Sequence, residues 1–352
     1  MRKIHVNLKK NSYDILIGAG LLNNCGELIK QAVNPCKAFI ITDTNVAPIY
    51  LEKVENALQS AGFTTAAHVF PAGEKNKTID AVVNMVEDMA NEQLCRTDCV
   101  VALGGGVVGD MAGFASAIYM RGIDFVQLST SLLSDIDSSV GGKTGCDLEN
   151  GKNLVGAFHQ PKAVIIDTDT LSTLPEHFKS DGMGEMIKYG VFRSKSLFDA
   201  IIDSPETAIC EQNIFECVDI KREVVENDEF EHGERKLLNL GHTLGHAIEK
   251  YYDFEKYSHG EAITIGMVMM AKAAEKNGLC VSGIAEKIID CAHKFNLPTC
   301  CDADIDELLK IVVSDKKRRG GKIDIILPKT VGDAFIYTID VDKLPVFFGG
   351  IE

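Results

Sequence analysis

The order of strand-like and helix-like segments constrains the fold of this 352-residue chain more than any other feature. Up to about residue 175, short β-rich runs such as KAFIITD and TTAAHVF alternate with stretches of helical periodicity such as TIDAVVNMVEDMANEQ. Alternation of this kind predicts a mainly parallel, doubly wound sheet. After about residue 178 most segments have a helical pattern, and a short strand pair, KIDIILP and DAFIYTI, lies near the end. We therefore predict two domains, an α/β domain over residues 1–177 and a mainly α-helical domain over residues 178–352.

The net charge and the cysteines indicate which binding partners and which cellular compartment to expect. The net charge is −15, which disfavours nucleic acid and anionic membranes as partners. The most apolar helical stretch, AITIGMVMMAKAA, is shorter than the roughly 20 residues that cross a bilayer. The chain has eleven cysteines, without a Cys-x-x-Cys pair, and its N-terminal stretch lacks an apolar signal core. We expect reduced thiols in a cytoplasmic protein.

A glycine-rich turn is the first candidate ligand site. The segment VVALGGGVVGD is an apolar strand followed by Gly104, Gly105, Gly106 and Gly109 at the start of a helix. Such a turn lets the backbone approach a pyrophosphate at the helix N-terminus, although a merely tight strand–helix turn has the same pattern. The stretches TDTNV and PAGEKNKT place polar residues after the two preceding strands, where a doubly wound fold binds ligands. An ordinary polar βα turn is the alternative for each.

Cations are concentrated in a few glycine-containing segments of this acidic chain. Lys143 lies in DIDSSVGGKTG, Lys152 and Asn153 lie in NGKNLVGAFHQP, and Arg235 and Asn239 precede a pair of histidines. A single Lys or Arg is usually a solvated surface charge. Their clustering beside glycines instead indicates recognition of an anionic metabolite.

The histidines suggest a metal site but leave its ligands open. His242 and His246 are four residues apart on a predicted helix and therefore share one face. They lack the intervening Glu of a His-Glu-x-x-His protease, because Thr-Leu-Gly separates them. Glu185, His242 and His259, from three predicted helices, are a second possible ligand set for a catalytic zinc ion. Spacing alone does not choose between the two.

Several specific motifs occur along the chain in this order: GGGVVGDMAGFAS, DSSVGGKTG, GKNLVGAFHQP, GMGEMIKYG, LNLGHTLGHAIE, SHGEAITIGM and DKK. Together they resemble the 3-dehydroquinate synthase family. The resemblance extends from about residue 40 to about residue 330. It implies a Rossmann-like α/β N-terminal domain that binds NAD and a mainly α-helical C-terminal domain that binds a metal ion and the substrate.

The resemblance also implies a role for individual residues. The metal ligands would be Glu185, His242 and His259, holding Zn²⁺ or, alternatively, Co²⁺. The NAD site would be lined by Asp43, Asn45, Glu74, Lys77, Gly105, Gly106, Val107, Asp110, Thr130, Ser131, Leu133, Asp137, Ser138, Lys143, Lys152, Thr173 and Leu174. The substrate would be bound by Lys143, Lys152, Asn153, Lys188, Lys221, Arg235, Asn239 and His246, with Lys316 or Lys317 from DKK. Asp137 and His246 would be the catalytic candidates for proton relay. Arg121 would reach the site of a neighbouring subunit, so a homodimer is implied.

The implied activity is that of a phosphate-eliminating lyase of the shikimate pathway. The family converts 3-deoxy-D-arabino-heptulosonate 7-phosphate to 3-dehydroquinate and phosphate, by transient NAD-dependent oxidation, β-elimination, reduction and aldol closure. Rival functions are another sugar-phosphate cyclase, such as 2-deoxy-scyllo-inosose synthase, a metal-dependent polyol dehydrogenase and an inactive binding protein. The chain departs from the usual family pattern at Ser131, Asp135 and Asp147. We expect these changes to affect affinity and not the reaction.

Overall fold

The computed structural model describes residues 1–149, 151–314 and 321–351, which form two compact units. The first unit comprises residues 1–175 and 221–230, and the second comprises residues 176–220 and 231–351 of the described chain. The segment 221–230 thus belongs to the first unit, although it lies far along the sequence. In the described residues, no helix has both the length and the apolar character needed to cross a membrane.

The first unit is built on a seven-stranded sheet with the order β1-β2-β9-β6-β5-β3-β4. Its strands are β1 (Arg2–Val6), β2 (Tyr13–Gly18), β3 (Lys37–Asp43), β4 (Thr64–Phe70), β5 (Cys99–Gly104), β6 (Asp124–Ser129) and β9 (Ala163–Asp167). All neighbouring strands are parallel except β1, which pairs antiparallel with β2 at one edge. The predicted doubly wound parallel sheet is confirmed.

Helices and one hairpin complete the first unit. The helices are α1 (Cys25–Ile29), α2 (Ala47–Ser60), α3 (Ile79–Asn91) and α4 (Gly106–Ile118). One apolar cluster includes Leu58, Val101 and Leu128, and another includes Met85, Val100 and Phe125. The strands β7 (Lys143–Leu148) and β8 (Gly151–Phe158) form a separate antiparallel hairpin. The glycine-containing segments around Lys143 and Lys152 thus supply the two strands of one hairpin.

The second unit is mainly helical, as predicted. Its helices are α5 (Glu176–Phe192), α6 (Lys195–Asp203), the first part of α7 (Glu211–Asn227), α8 (His242–Tyr251), α9 (His259–Lys276), α10 (Ile284–His293), α11 (Ile305–Ser314) and α12 (Leu344–Phe348). The strands β10 (Lys322–Thr330) and β11 (Asp333–Asp340) form an antiparallel pair. An apolar cluster that includes Ile248, Ile265 and Ile325 joins α8, α9 and β10.

Candidate active site

Glu185, His242 and His259 converge in the second unit. Glu185 lies in α5, whereas His242 and His259 are the first residues of α8 and α9. The Oε1 atom of Glu185 is 3.4 Å from Nε2 of His242 and 3.3 Å from Nε2 of His259. The three potential ligand atoms all lie within 4.8 Å of one another. A carboxylate and two imidazoles, in three separate helices, therefore face a common point.

Close packing of helix backbones brings these three residues together. A Cβ on Gly184 of α5 would lie 2.5 Å from the carbonyl oxygen of Gly260 in α9. Gly241, which precedes α8, has a φ of 82°, and a Cβ there would lie 2.6 Å from the carbonyl oxygen of Ile263. Larger residues would push the helices apart. Glycines next to Glu185, His242 and His259 thus hold the three ligands within reach of one ion.

Burial and ion pairing determine the charges of this group. Glu185 is fully buried, and Lys188, one turn further along α5, forms an ion pair with its Oε2 atom. Burial lowers the pKa of His242 well below its usual value, which favours the neutral imidazole that binds metals. Burial also opposes protonation of His259, but hydrogen bonding to Glu185 and Glu249 raises its pKa to about 10. One carboxylate and two imidazoles match the donor set of catalytic zinc sites.

Sequence reasoning missed a second acidic residue, Glu249. His246, Glu249 and His259 also form a group whose potential ligand atoms lie within 4.8 Å of one another. His246 is exposed, and its ring centroid is 5.3 Å from that of His242 and 5.9 Å from that of His259. The sequence signal was available, because Glu249 follows His246 by three residues and three-residue spacing places both on one helix face.

The remaining polar candidates of the second unit lie near the start of α8 in sequence. Arg235 is 1% exposed although it carries a full charge. Asn239 donates from Nδ2 to Oε1 of Glu231 over 2.9 Å, and Glu231 has a left-handed backbone with a φ of 61°. Glu231 was not among the predicted residues.

In the first unit, the predicted glycine turn packs against serines that follow β6. A Cβ on Gly105 would lie 3.0 Å from Oγ of Ser131, and one on Gly106 would lie 3.0 Å from Oγ of Ser138. The amide of Thr130 donates to the carbonyl of Gly104 over 3.1 Å. The turn between β5 and α4 therefore lies beside the carboxyl end of β6, as ligand binding at a doubly wound sheet requires.

The neighbouring predicted residues take different positions around this end of the sheet. Asp43 ends β3, and its Oδ1 atom accepts hydrogen bonds from the amides of Asn45 and Val46. Thr173 shares a 2.6 Å hydrogen bond with the hydroxyl of Tyr50. Three further candidates are partly buried apolar residues, namely Val107, Leu133 and Leu174.

Lys77 connects two other predicted residues. Its Nζ atom donates to Oδ2 of Asp110 over 2.6 Å and to Oδ1 of Asn153 over 2.7 Å. Burial opposes its charge, but the acidic residues Asp110, Glu74 and Asp147 raise its pKa above the usual value. Lys152 lies 3.7 Å from Oε1 of Glu74. This part of the candidate site is therefore an internally paired charge network.

Asp137 and Lys221 also meet, although 84 residues separate them in sequence. Nζ of Lys221 lies 2.7 Å from the carbonyl oxygen of Asp137 and 2.8 Å from its Oδ1 atom. Lys221 is 6% exposed. The segment 221–230 thus supplies a buried cation to the first unit.

The remaining predicted positions are Lys143, Arg121 and the two lysines of DKK. Lys143 is exposed at the start of β7. Arg121 is exposed with a φ of 70°, directly after Met120 with a φ of 49°. Lys316 and Lys317 lie outside the described residues.

Comparison with known proteins assigns the chain to a family. The family model described as 3-dehydroquinate synthase N-terminal matches residues 67–180, and the model described as 3-dehydroquinate synthase C-terminal matches residues 182–318. The 3-dehydroquinate synthase of Clostridium botulinum is 42% identical, in an alignment that covers 97% of this chain and 99% of the relative. This chain belongs to the 3-dehydroquinate synthase family. The enzyme of Clostridium acetobutylicum is 43% identical, with 97% of each chain covered.

Solved structures show that the family fold extends to other sugar cyclases. The 2-epi-5-epi-valiolone synthase of Streptomyces hygroscopicus, solved with NAD⁺ and Zn²⁺ bound, superposes with a TM-score of 0.87 at 25% identity, over 97% of each chain. A 2-deoxy-scyllo-inosose synthase has the same TM-score at 24% identity and covers 99% of this chain and 100% of that chain. A probable glycerol dehydrogenase of Sinorhizobium meliloti is more distant, with a TM-score of 0.63, 14% identity and coverage of 95% and 94%. The two domain types predicted from sequence are those of this family.

Proposed function

We propose that this chain acts as a 3-dehydroquinate synthase, a carbon–oxygen lyase that converts 3-deoxy-D-arabino-heptulosonate 7-phosphate to 3-dehydroquinate and phosphate. The observation that carries the proposal is the identity of 42–43% to curated enzymes of that name along nearly the whole chain. Cyclases with other products share the fold at only 24–25% identity. The cation-rich segments suit a substrate that bears both a carboxylate and a phosphate.

The metal of the reaction is proposed to be Zn²⁺, with Co²⁺ as an alternative, held by Glu185, His242 and His259. The donor set supports this choice, as does the zinc ion named for the similar valiolone synthase structure. When bound, such an ion acts as a Lewis acid that acidifies a hydroxyl group and polarises a carbonyl group. Lys188, paired with Glu185, fixes the carboxylate and contributes positive charge to the same place.

The cofactor is proposed to be NAD, bound by the first unit. Bound NAD would supply reversible hydride transfer without net consumption of the cofactor. The glycine turn at Gly105 and Gly106 would receive the pyrophosphate, and Asp43 with Asn45 would hold a ribose. Lys77, Glu74 and Asp110 would line the same site together with the residues after β6.

The other residues are proposed to bind and orient the substrate and to move its protons. Lys143, Lys152, Asn153, Lys221, Arg235 and Asn239 would hold its charged and hydroxyl groups. Holding reacting carbons in a productive geometry is worth roughly 7–11 kcal/mol of barrier. Asp137 and His246 would relay protons, because both side chains are titratable and lie beside residues proposed to bind the substrate or the metal. Either Lys316 or Lys317 would add a further cation.

The proposal also covers domain roles, assembly and location. Residues 1–177 would form the NAD-binding domain and residues 178–352 the metal- and substrate-binding domain. The active form would be a homodimer in which Arg121 serves the neighbouring subunit, without a nucleic-acid or membrane partner. A cytoplasmic location is supported by eleven cysteines that are all free thiols.

One assay tests the proposed function directly. Purified protein is mixed with Zn²⁺, catalytic NAD⁺ and, separately, heptulosonate 7-phosphate, sedoheptulose 7-phosphate or glucose 6-phosphate. Phosphate release and NADH absorbance are followed together. We expect phosphate release with heptulosonate 7-phosphate and not with the other two sugar phosphates, and no lasting accumulation of NADH. Release from another sugar phosphate would assign a different cyclase, and stoichiometric NADH would assign a dehydrogenase.

A further inference from the structure

We propose that Glu249 is a positioning residue that fixes the orientation and tautomer of His259 for metal binding. The inference rests on the proposed metal site and adds a residue to it. It follows from the surroundings of the two ring nitrogens of His259, from the equivalent arrangement at His242 and from the burial of Glu249.

The two ring nitrogens of His259 face two different carboxylates. Nε2 is 3.3 Å from Oε1 of Glu185, whereas Nδ1 is 3.5 Å from Oε1 of Glu249. A neutral imidazole that binds a metal through Nε2 carries its proton on Nδ1 and needs an acceptor there. Glu249 supplies that acceptor, and a small rotation of the ring brings the 3.5 Å separation to hydrogen-bond length.

His242 has the same arrangement with a different acceptor. Its Nε2 atom faces Oε1 of Glu185 at 3.4 Å, and its Nδ1 atom lies 3.2 Å from the main-chain carbonyl of Leu240. Both histidines therefore direct Nε2 to the common point and Nδ1 to an oxygen acceptor. The acceptor of His259 is a carboxyl group, which in its ionised form strengthens that imidazole as a ligand more than a carbonyl does.

Burial of the Glu249 side chain costs free energy unless the carboxyl group interacts with a polar or charged partner. Glu249 lies in α8 directly after two buried apolar residues and is 2% exposed, whereas the next residue, Lys250, is exposed. A buried carboxylate is retained only where cationic or hydrogen-bonding partners compensate for lost water. The preceding residues Ala247 and Ile248 pack into the core of the second unit, so the helix cannot turn Glu249 towards solvent without exposing them.

A second cation held by His246, Glu249 and His259 is the competing interpretation. That group and the group around Glu185 both require His259. A neutral imidazole has one lone pair available for a metal, so it serves one ion unless it also loses its remaining proton. One ion per chain, with Glu249 outside its ligand sphere, is therefore the consistent assignment.

The test compares metal binding by four proteins: the wild type, Glu249→Gln, Glu249→Ala and the control Glu255→Gln, which changes an exposed residue of the same charge. Metal-free protein is prepared by dialysis against a chelator. Zn²⁺ affinity is then measured by competition with a chromogenic chelator, Co²⁺ binding by the visible absorption spectrum, and metal-free stability by thermal unfolding. None of these readouts requires turnover.

We expect Zn²⁺ affinity to fall about 10-fold in Glu249→Gln, which keeps one acceptor oxygen, and up to about 100-fold in Glu249→Ala. The Co²⁺ spectrum should change in both variants, and Glu255→Gln should match the wild type. Affinities within twofold of the wild type would overturn the proposal, even if the variants unfold at lower temperature, since that result indicates a structural role only. Two tightly bound ions per wild-type chain would overturn it as well. If Glu249→Ala does not fold, the Zn²⁺ affinity of Glu249→Gln alone tests the proposal.

Failure of this inference is distinguishable from failure of the proposed function. A wild type that binds Zn²⁺ but releases no phosphate from the heptulosonate contradicts the function and leaves the comparison of affinities intact. A wild type that turns over normally, with variants of unchanged metal affinity, contradicts only the role of Glu249.

Discussion

Lys221 contacts Asp137 twice, at the main-chain carbonyl over 2.7 Å and at Oδ1 over 2.8 Å. The ammonium group therefore fixes both the backbone and the side chain of a proposed proton-relay residue. Asp137 precedes Gly141 and Gly142, which lead into β7, so this contact also restrains the segment of chain before that strand.

Replacing Lys221 with Met should lower the rate of phosphate release about 100-fold, the lower part of the range for losing a positioned acid–base group. The affinity for Zn²⁺ should not change, because Lys221 is not among the proposed metal ligands. Steady-state kinetics and chelator competition measure the two effects. Lys30→Met, which removes an exposed lysine, is the control. A variant with the wild-type rate would show that Asp137 does not depend on Lys221.

The Lys77–Asp110 pair should contribute to stability as well as to cofactor binding. Lys77→Met leaves Asp110 without its 2.6 Å partner, and we expect a loss of about 2–3 kcal/mol in the free energy of unfolding. Replacing both residues, Lys77→Met with Asp110→Leu, should recover part of this loss. Denaturant unfolding of both single variants and the double variant measures the coupling.

The matched control is Lys162→Met, which removes a lysine 3.3 Å from Asp124 where both side chains are more than 40% exposed. Exposed pairs contribute about 0–1 kcal/mol. Equal losses in Lys77→Met and Lys162→Met would contradict the buried character of the first pair.

Asp135 should make the stability of the protein fall with rising pH. This residue is fully buried, and burial, together with Asp167, raises its pKa to about 8 despite the opposing effect of Ser129. The folded protein then holds the proton to higher pH than the unfolded chain, in which the carboxyl titrates near 4. Its contribution is complete below about pH 4 and is lost as the pH rises through 8.

The variant Asp135→Asn removes this titration. Its free energy of unfolding relative to the wild type should increase between pH 5 and pH 8, with a slope of at most about 1.4 kcal/mol per pH unit, and level off above pH 8. Denaturant titrations at several pH values measure the difference. Asp290→Asn, at an exposed position, should show no such slope. A constant difference between Asp135→Asn and the wild type would disprove the raised pKa.

The sheet was predictable because its strands carry their signal locally. KAFIITD and AVIID became β3 and β9 with the bounds read from the sequence, since strands buried on both faces are apolar runs between polar turns. The glycine turn was equally visible. The contact of this turn with Ser131 and Ser138 was not predictable, because these serines follow another strand and no local pattern relates them to Gly105 and Gly106.

The candidate site was less predictable because its key relationships join distant segments. Spacing on α8 left two ligand sets open for His242 and His246, and only family motifs favoured one of them. The pairing of Lys77 with Asp110 spans 33 residues, and each was assigned to the cofactor without regard to the other. The burial of Asp135 depends on a π-helical turn, Ser134–Ser138, that changes the faces of the helix and has no clear sequence signal.

The proposed exchange of Arg121 between subunits gives the last prediction. Arg121 is exposed, and Met120 and Arg121 both have left-handed backbone conformations, which cost free energy. A site formed between subunits would be a functional reason to retain them.

Arg121→Ala and Glu185→Gln should each abolish activity when prepared alone. If Arg121 acts on the neighbouring subunit, a mixed dimer has one site with both residues intact. Unfolding and refolding an equal mixture should therefore restore about one quarter of the wild-type activity, since half of the dimers are mixed and each has one working site. Refolded wild type is the control for recovery. No activity in the mixture, with mixed dimers demonstrated by differently tagged subunits, would place Arg121 in its own subunit's site.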